Sequence, residues 1–517
     1  MSLTQILNSP SDQPADKPSI SNRAYADYIE NGNPIENGDT PFVWNLRDHQ
    51  VNFGKNTFPK DGKIKFNVSG WDRDQVSEHG YFEEHSPFSA DPDGLRQVHR
   101  RLAREAFKLY EEHLGIEFIE TTDDDADIFI TDFSDEISSP YSTTPAENSK
   151  YFTKVYPDKS LIHIPYYPTD VSEVYRNYYG YDSSFLDSPI FATYVHEIGH
   201  SLGLSHDGNY GSSDQPGPTT YEKDGRYLNS SKQSSMMSYF IISSPERQRW
   251  GVLDTNLYLI TNYNIDANFI EPNTPMPVDW LALDNMYRDQ GYGISNSFKG
   301  DTRYGVNTSI TADTSQVWSK FTKFIEKNAF TIVDGSGYDI VDVSFSDSDQ
   351  KIDLRETDPN SDSLYSSDIA GRKGNLYIAA STVIEEAITG AGDDILIGNE
   401  DNNTLNGGAG SDQLWGHEGA NTLKSGDLDG YTDELYVHAG NSQQKRDLLI
   451  QVDATDRIYI DGIKDEELTF KSNIDDPTGS NYVGIGIYAN GVLEALVVDT
   501  VLTVNQISDI TSAGEFS

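Results

Sequence analysis

Residues 196–206 read His-Glu-Ile-Gly-His-Ser-Leu-Gly-Leu-Ser-His. His196 and His200 stand four positions apart, so on a helix both imidazoles leave the same face. Two nitrogens on one face make half of a Zn²⁺ site, and Glu197 beside them is a carboxylate that need not ligate. Gly203 falls where the helix must end, because glycine turns back through a left-handed conformation at low cost. The reversal brings His206 round as a third ligand. Three protein ligands leave one position open to water, which is the catalytic rather than the structural arrangement of zinc. A bare His-Glu-x-x-His is equally readable as solvated helix surface; the extended form with Gly203 and His206 favours a metal site. Downstream, Ser-Met-Met-Ser-Tyr at 235–239 places Met237 two residues before Tyr239. A tight methionine turn can floor the site and present the Tyr239 phenol to zinc; without the histidine motif the same residues read as buried core.

The elements that must position this chemistry are partly visible. Phe191, Tyr194, Val195, Ile198, Leu202 and Leu204 recur at helical spacing around the motif, and they also read as core. A second helix is expected within 92–114, from Leu95, Val98, Leu102, Ala106 and Leu109. Strands are expected around Ile64, Phe66 and Val68, over Ile116–Ile119, over Ala126–Thr131 and over 159–165. Pro165 suits a sheet edge, and an edge strand beside a metal can hold an extended substrate through its main chain, so 161–164 are assigned that role against the plainer reading of an ordinary strand. His163 in it reads as structural. After a Gly-, Ser- and Asp-rich loop at 207–235, residues 242–274 look like an irregular insertion. A short helix with Val278, Leu281, Ala282 and Met286 then packs on the catalytic part.

Composition bounds the rest. The 517 residues have room for two or three domains. Lys and Arg number 38 against 83 Asp and Glu, a net charge of −45 that repels nucleic acid and anionic membranes and excludes both as partners. Generic solubility and adaptation to salt or cold are both consistent with it. There is no cysteine, which excludes disulfides, Cys-ligated zinc and thiol catalysis. The N-terminal stretch lacks the basic start and apolar core of a secretion signal, and residues 1–40 read as a disordered leader or short propeptide, with a zymogen as the consequence. No run of about 18 apolar residues suggests a transmembrane helix.

The C-terminal half carries a nine-residue repeat. Leu396, Leu405, Leu414 and Leu423 keep that step, as do Asp394, Asn403, Asp412 and Asn421 two residues earlier, with glycines in the turns. This is the pattern of a parallel β-roll in which turns offer carbonyls and an Asp to Ca²⁺. A Gly-Asp-rich linker is the alternative, and four leucines in phase argue against it. Asn at alternate repeats removes a charge, so Asp394 and Asp412 are the firmest calcium ligands. Such a roll folds only with millimolar calcium, which is consistent with a chain unfolded inside the cell and ordered outside.

The histidine motif, Ser-Met-Met-Ser-Tyr and the Gly-Asp nonapeptides, in this order, resemble the serralysins, secreted bacterial metzincin endopeptidases; SFKGDTRYG at 297–305, AFTIVDGSGYD at 329–339 and 371–394 look like serralysin sequence too. The resemblance, over about 40–460, implies an α+β metzincin-type zinc protease domain (41–296) followed by an all-β parallel β-roll (297–517) ending in an uncleaved secretion signal. It implies His196, His200 and His206 as zinc ligands, Glu197 as general base, and Tyr239 as a further ligand that swings away to stabilise the oxyanion. It carries calcium sites onto Gly300, Thr302, Gly337, Asp339, Glu385, Gly390, Gly392, Asp394, Gly408, Gly410 and Asp412. The implied protein is a monomeric, calcium-stabilised zinc endopeptidase, broad in specificity toward extracellular proteins, with one catalytic zinc and several calcium ions. Its implied partners are protein and peptide substrates, an ABC-type exporter and a proteinaceous inhibitor. Asp207 in place of a proline, the 242–274 insertion and the Gly-Glu-Phe-Ser end depart from the family pattern. A calcium-dependent surface protein with a vestigial protease domain would have no use for Glu197. A lipase would need a G-x-S-x-G elbow, which is absent.

Overall fold

The computed structural model describes residues 61–70, 93–123, 125–132, 141–143, 160–164, 186–204, 206, 231–242, 261–262, 270–357, 364–426, 430–440, 446–464 and 467–516. The 1–40 leader, Pro165, Asp207 and most of the 207–235 loop and 242–274 insertion lie outside the described residues.

The N-terminal unit is built on a five-stranded sheet. Its strands are β1 (Lys63–Asn67), β2 (Glu117–Glu120), β3 (Ile128–Thr131), β4 (Tyr141–Thr143) and β5 (Ser160–His163), in spatial order β2-β1-β3-β5-β4. All pair in parallel except β4, which runs antiparallel to β5. The expected edge position of 161–164 is therefore corrected: β5 is bonded on both sides, and β4 is the outer strand among the described residues. A parallel strand with neighbours on both sides is buried on both faces, which is why Leu161, Ile162, His163 and Ile164 are all buried.

Helix α1 (Gln97–Leu114) lies against helix α2 (Pro189–Ser201), burying Leu102, Ala106, Leu109 and Tyr110. Leu95 precedes α1 and is anchored by its amide to the Val68 carbonyl at 3.0 Å, whereas Val98 in the first turn is 45% exposed and leaves the expected apolar stripe. Helix α3 (Pro277–Tyr287) closes the unit with Val278, Leu281 and Ala282 buried.

The C-terminal unit is a parallel β-roll. Strands 386–388, 404–406 and 422–424 pair in register in one sheet, and 395–397 and 413–415 in the other, so each nonapeptide is half a turn. Leu405 and Leu423 point inward from the first sheet and Leu396 and Leu414 from the second, all fully buried. Each such leucine contributes roughly 1.5–3 kcal/mol of burial. Among the described residues no helix is long and apolar enough to cross a membrane.

The two units share structure. Strand β6 (Glu271–Pro272) pairs in parallel with β7 (Asn328–Ile332), adding a strand from before α3 to a roll sheet. His113, at the end of α1, is fully buried between them. Ser297 Oγ donates to Val333 O at 2.6 Å, so His113 Nδ1–H donates to Ser297 Oγ at 2.6 Å, and His113 Nε2 accepts from Trp318 Nε1 at 3.0 Å. Both ring nitrogens are committed, and a proton added at Nε2 would face the indole N–H. Burial pushes His113 down to about 3 from an ordinary 6.5. The unfolded chain thus binds a proton below 6.5 that the folded one refuses until about 3, so this residue's contribution is whole above 6.5 and is lost as pH falls through that window. At about 1.36 kcal/mol per pH unit it reaches roughly 4–5 kcal/mol at the acid end. His113→Gln, which does not titrate, is expected to take up about one proton fewer on urea unfolding between pH 4 and 6.

Candidate active site and candidate calcium sites

Local sequence explains the α2 geometry. Ser188 caps the helix by accepting from Phe191 N at 3.3 Å, and Pro189 starts it with a φ already helical. The end is a Schellman turn about Gly203, whose φ is 106°. Leu204 N donates to Gly199 O at 2.9 Å and Gly203 N to His200 O at 3.0 Å. The turn aims the Leu204 carbonyl at His200 Nδ1, 2.6 Å away, and returns the chain so that His206 Nε2 lies 3.1 Å from His200 Nε2. Tyr287 Oη caps the Leu202 carbonyl at 2.5 Å, and Tyr110 Oη donates to Val195 O at 2.7 Å from beneath. Gly199 must be small here, since a Cβ would lie 3.0 Å from Tyr110 Oη and 3.3 Å from Met237 Sδ.

The methionine turn is the second wall. The Met236 carbonyl accepts from His196 Nδ1 at 2.8 Å, while Met237 lies fully buried against Gly199. The turn is held by a residue with no local signal in the sequence. Buried Asp279 accepts from Ser235 Oγ at 2.6 Å, Met236 N at 2.7 Å and Met276 N at 2.8 Å.

With both Nδ1–H groups given to carbonyls, the His196 and His200 Nε2 lone pairs are left for a ligand. Burial, and for His196 and His206 the neighbouring histidines, push all three imidazoles well down, His200 to about 4, so they are neutral donors. One ring nitrogen from each lies within 4.8 Å of the others, the one such cluster of three or more His, Asp or Glu ligand atoms among the described residues. Tetrahedral nitrogens about 2.1 Å from Zn²⁺ stand roughly 3.4 Å apart, close to the His200–His206 separation, so the residues fit zinc. Glu197 is 4% exposed and its Oε2 has no hydrogen-bond partner; burial pushes the carboxyl up to about 8. Tyr239 stands with its ring centroid 4.5 Å from that of His206. Burial, then the Glu197 charge, push its phenol up to about 12, which keeps it a donor. Glu197, His196 and Tyr239 line one cavity of about 280 Å³.

The residues carried over as calcium ligands fall on two opposite seams of the roll. Along one, Thr302 N donates to Asp339 Oδ1 and Asp339 N to Glu385 Oε2, both at 2.7 Å. A Cβ at Gly337 would meet Gly300 O at 2.4 Å and Asp339 Oδ1 at 2.9 Å, so those oxygens converge on nearly one point. Along the other, a ladder links Gln350 N to Asp394 Oδ1 (2.6 Å), Asp394 N to Asp412 Oδ1 (2.8 Å) and Asp412 N to Asp433 Oδ1 (2.9 Å). The second oxygens, Asp394 Oδ2 and Asp412 Oδ2, are buried with no partner, and burial pushes these carboxyls up to about 7 and about 8. Gly390, Gly392, Gly408 and Gly410 stack around them so tightly that a Cβ at Gly408 would lie 2.1 Å from Gly390 O and one at Gly410 2.3 Å from Gly392 O. Oxygen-only donors with uncompensated carboxylates fit a hard cation such as Ca²⁺. The seam of Asn403 and Asn421 differs: their amides donate to Ile384 O and Glu418 O, both at 3.1 Å, and so supply their own partners.

Residues 87–216 match the family described as Matrixin, and residues 295–479 match Peptidase M10 serralysin C terminal. The chain is 34% identical over 214 residues to a serralysin of Photorhabdus luminescens, covering 41% of this chain and 37% of that one. It is 32% identical over 307 residues to a serralysin of Photorhabdus sp. (strain Az29), covering 59% and 53%. It is 33% identical over 215 residues to the Metallopeptidase AprA of Pseudomonas marginalis, covering 41% and 38%. Both matched parts of the chain are thus similar to those of serralysins. The matched stretches span only 37% to 53% of these relatives' lengths. The fold is a metzincin-type protease domain followed by a serralysin-type β-roll.

Proposed function

We propose that this serralysin-like chain is a secreted, calcium-stabilised zinc endopeptidase that hydrolyses peptide bonds of extracellular proteins with broad specificity. The observation that carries the reading is the convergence of three neutral histidines, two of them locked by backbone carbonyls, beside Glu197, whose Oε2 has no hydrogen-bond partner. His196, His200 and His206 hold the metal. Zinc, when bound there, supplies a Lewis acid and lowers the pKa of water toward about 7. Glu197 takes the proton of the attacking water and passes it to the leaving amine. The Tyr239 hydroxyl donates to the oxyanion as it develops, an interaction of about 3 kcal/mol for one well-placed donor. The outer strand β4, rather than β5, is placed to hold an extended substrate.

In this proposal the roll takes several calcium ions, through Gly300, Thr302, Gly337, Asp339 and Glu385 on one seam and Gly390, Gly392, Asp394, Gly408, Gly410 and Asp412 on the other. The domains divide near 296, the protein works as a monomer after passage through an ABC-type exporter, and a proteinaceous inhibitor is a further partner. Azocasein hydrolysis in calcium tests the activity. It is expected to vanish with a zinc-selective chelator and return with zinc, and folded, zinc-loaded protein without activity would overturn the reading.

A further inference from the structure

The cavity that holds Glu197 and Tyr239 is lined by a charged pair as well. Lys232 Nζ donates to Glu271 Oε1 at 2.5 Å, and both residues line the cavity together with Thr193 and His196. The side chains are 27% and 13% exposed, so the pair is largely withdrawn from bulk water but still reachable from the cavity. Its two ends are fixed from behind. Lys232 N donates to Phe240 O at 2.9 Å within the methionine turn, and Gln233 Nε2 donates to Ile270 O at 3.1 Å. Glu271 lies in β6, opposite Asn328, whose Nδ2 donates to the Glu271 carbonyl at 3.2 Å. At about 280 Å³ the cavity is the size for one substrate side chain rather than for a drug-sized ligand.

We propose that the Lys232–Glu271 pair sets cleavage preference, and that this cavity takes an uncharged amide side chain, glutamine or asparagine, from the peptide beside the scissile bond. The inference rests on the endopeptidase reading above. A side chain entering the cavity displaces the water that solvates the remaining Lys232 donors and Glu271 lone pairs. An amide replaces both, accepting from Lys232 with its oxygen and donating to Glu271 with its nitrogen. A carboxylate meets Lys232 but is repelled by Glu271, and a guanidinium or ammonium meets the reverse. An alkyl or thioether chain of the same length leaves the remaining Lys232 donors and Glu271 lone pairs without a partner. Sites built to hydrogen-bond a substrate group discriminate strongly against analogues that lack it.

The test digests a diverse peptide library with zinc- and calcium-loaded full-length protein and maps the cleavage sites by mass spectrometry. Kinetics follow on synthetic peptides differing at one position. Wild type is expected to prefer Gln over Met, and Asn over Leu, by about tenfold or more in kcat/KM at one position flanking the bond. Glu271→Gln leaves Lys232 alone and moves the preference to Glu and Asp. Lys232→Gln leaves Glu271 alone and moves it to Arg and Lys. The reversed pair, Lys232→Glu with Glu271→Lys, keeps the strut between the turn and β6 and returns the amide preference, which guards against single variants that fail to fold. One unchanged profile across wild type and all folded variants overturns the inference and leaves the pair as a strut. A wild type that cleaves no peptide overturns the endopeptidase reading as well, so the two failures are distinguishable.

Discussion

Replacing Glu197 by alanine is expected to leave zinc bound and to abolish caseinolysis. The zinc nitrogens and their carbonyl locks belong to His196, His200, His206, Met236 and Leu204, none of which bonds to the Glu197 Oε2 that the substitution removes. Removing a buried carboxylate oxygen with no partner also relieves a desolvation cost, so the variant should unfold at or above the wild-type temperature. What disappears is the only proton acceptor the mechanism uses. General-base catalysis contributes up to about 10⁴-fold, and here the same group also serves the leaving amine, so a fall of about a thousandfold or more in kcat is expected. Zinc content by atomic absorption, thermal unfolding and azocasein hydrolysis on one preparation separate these effects. Turnover at the wild-type rate would remove Glu197 from the mechanism.

The contrast between Glu197 and Asp279 shows what the sequence made legible and what it hid. The histidine centre sits in eleven consecutive residues whose spacing is that of one helix and one glycine stop, so local geometry specifies it. Asp279 reaches the methionine turn from 44 residues away, and only packing of α3 brings it there. The roll was legible because its sequence period equals its half-turn. Leucines nine apart alternate between sheets and meet in one core. Where turns lengthen the period fails: the Asp ladder runs 18 residues from Asp394 to Asp412, then 21 to Asp433 and 23 to Asp456, so the last two were invisible to a repeat. The misplaced sheet edge has a similar cause. β4 is three residues long, too short to show alternation, and its pairing with β5 is non-local.

With calcium bound to the roll as proposed, changing Asp412 to asparagine should raise the calcium concentration that stabilises the roll by about tenfold or more, with no loss of calcium-free stability. Asparagine keeps an Oδ1 to accept from Asp394 N, so the ladder bond of 2.8 Å survives and only the charge is removed. The opposite seam shows that the exchange is tolerated, since Asn421 Oδ1 accepts from Asn403 N at 2.9 Å in the same geometry. Without calcium, the buried and unpartnered Asp412 Oδ2 is a cost, and an amide is cheaper to bury than a carboxylate. With calcium, the carboxylate supplies charge to an oxygen-only site, and its loss of about 1.4 kcal/mol or more is tenfold in binding. Ligand linkage then predicts that the variant's melting temperature rises with calcium along a curve displaced to higher concentration. The reciprocal change, Asn403→Asp, puts an unpaired carboxylate into the amide seam and should lower stability in chelator while making it newly calcium-responsive. Thermal unfolding over a calcium series reads both variants. Coincident calcium midpoints for wild type and Asp412→Asn would show that this seam does not hold the stabilising ion.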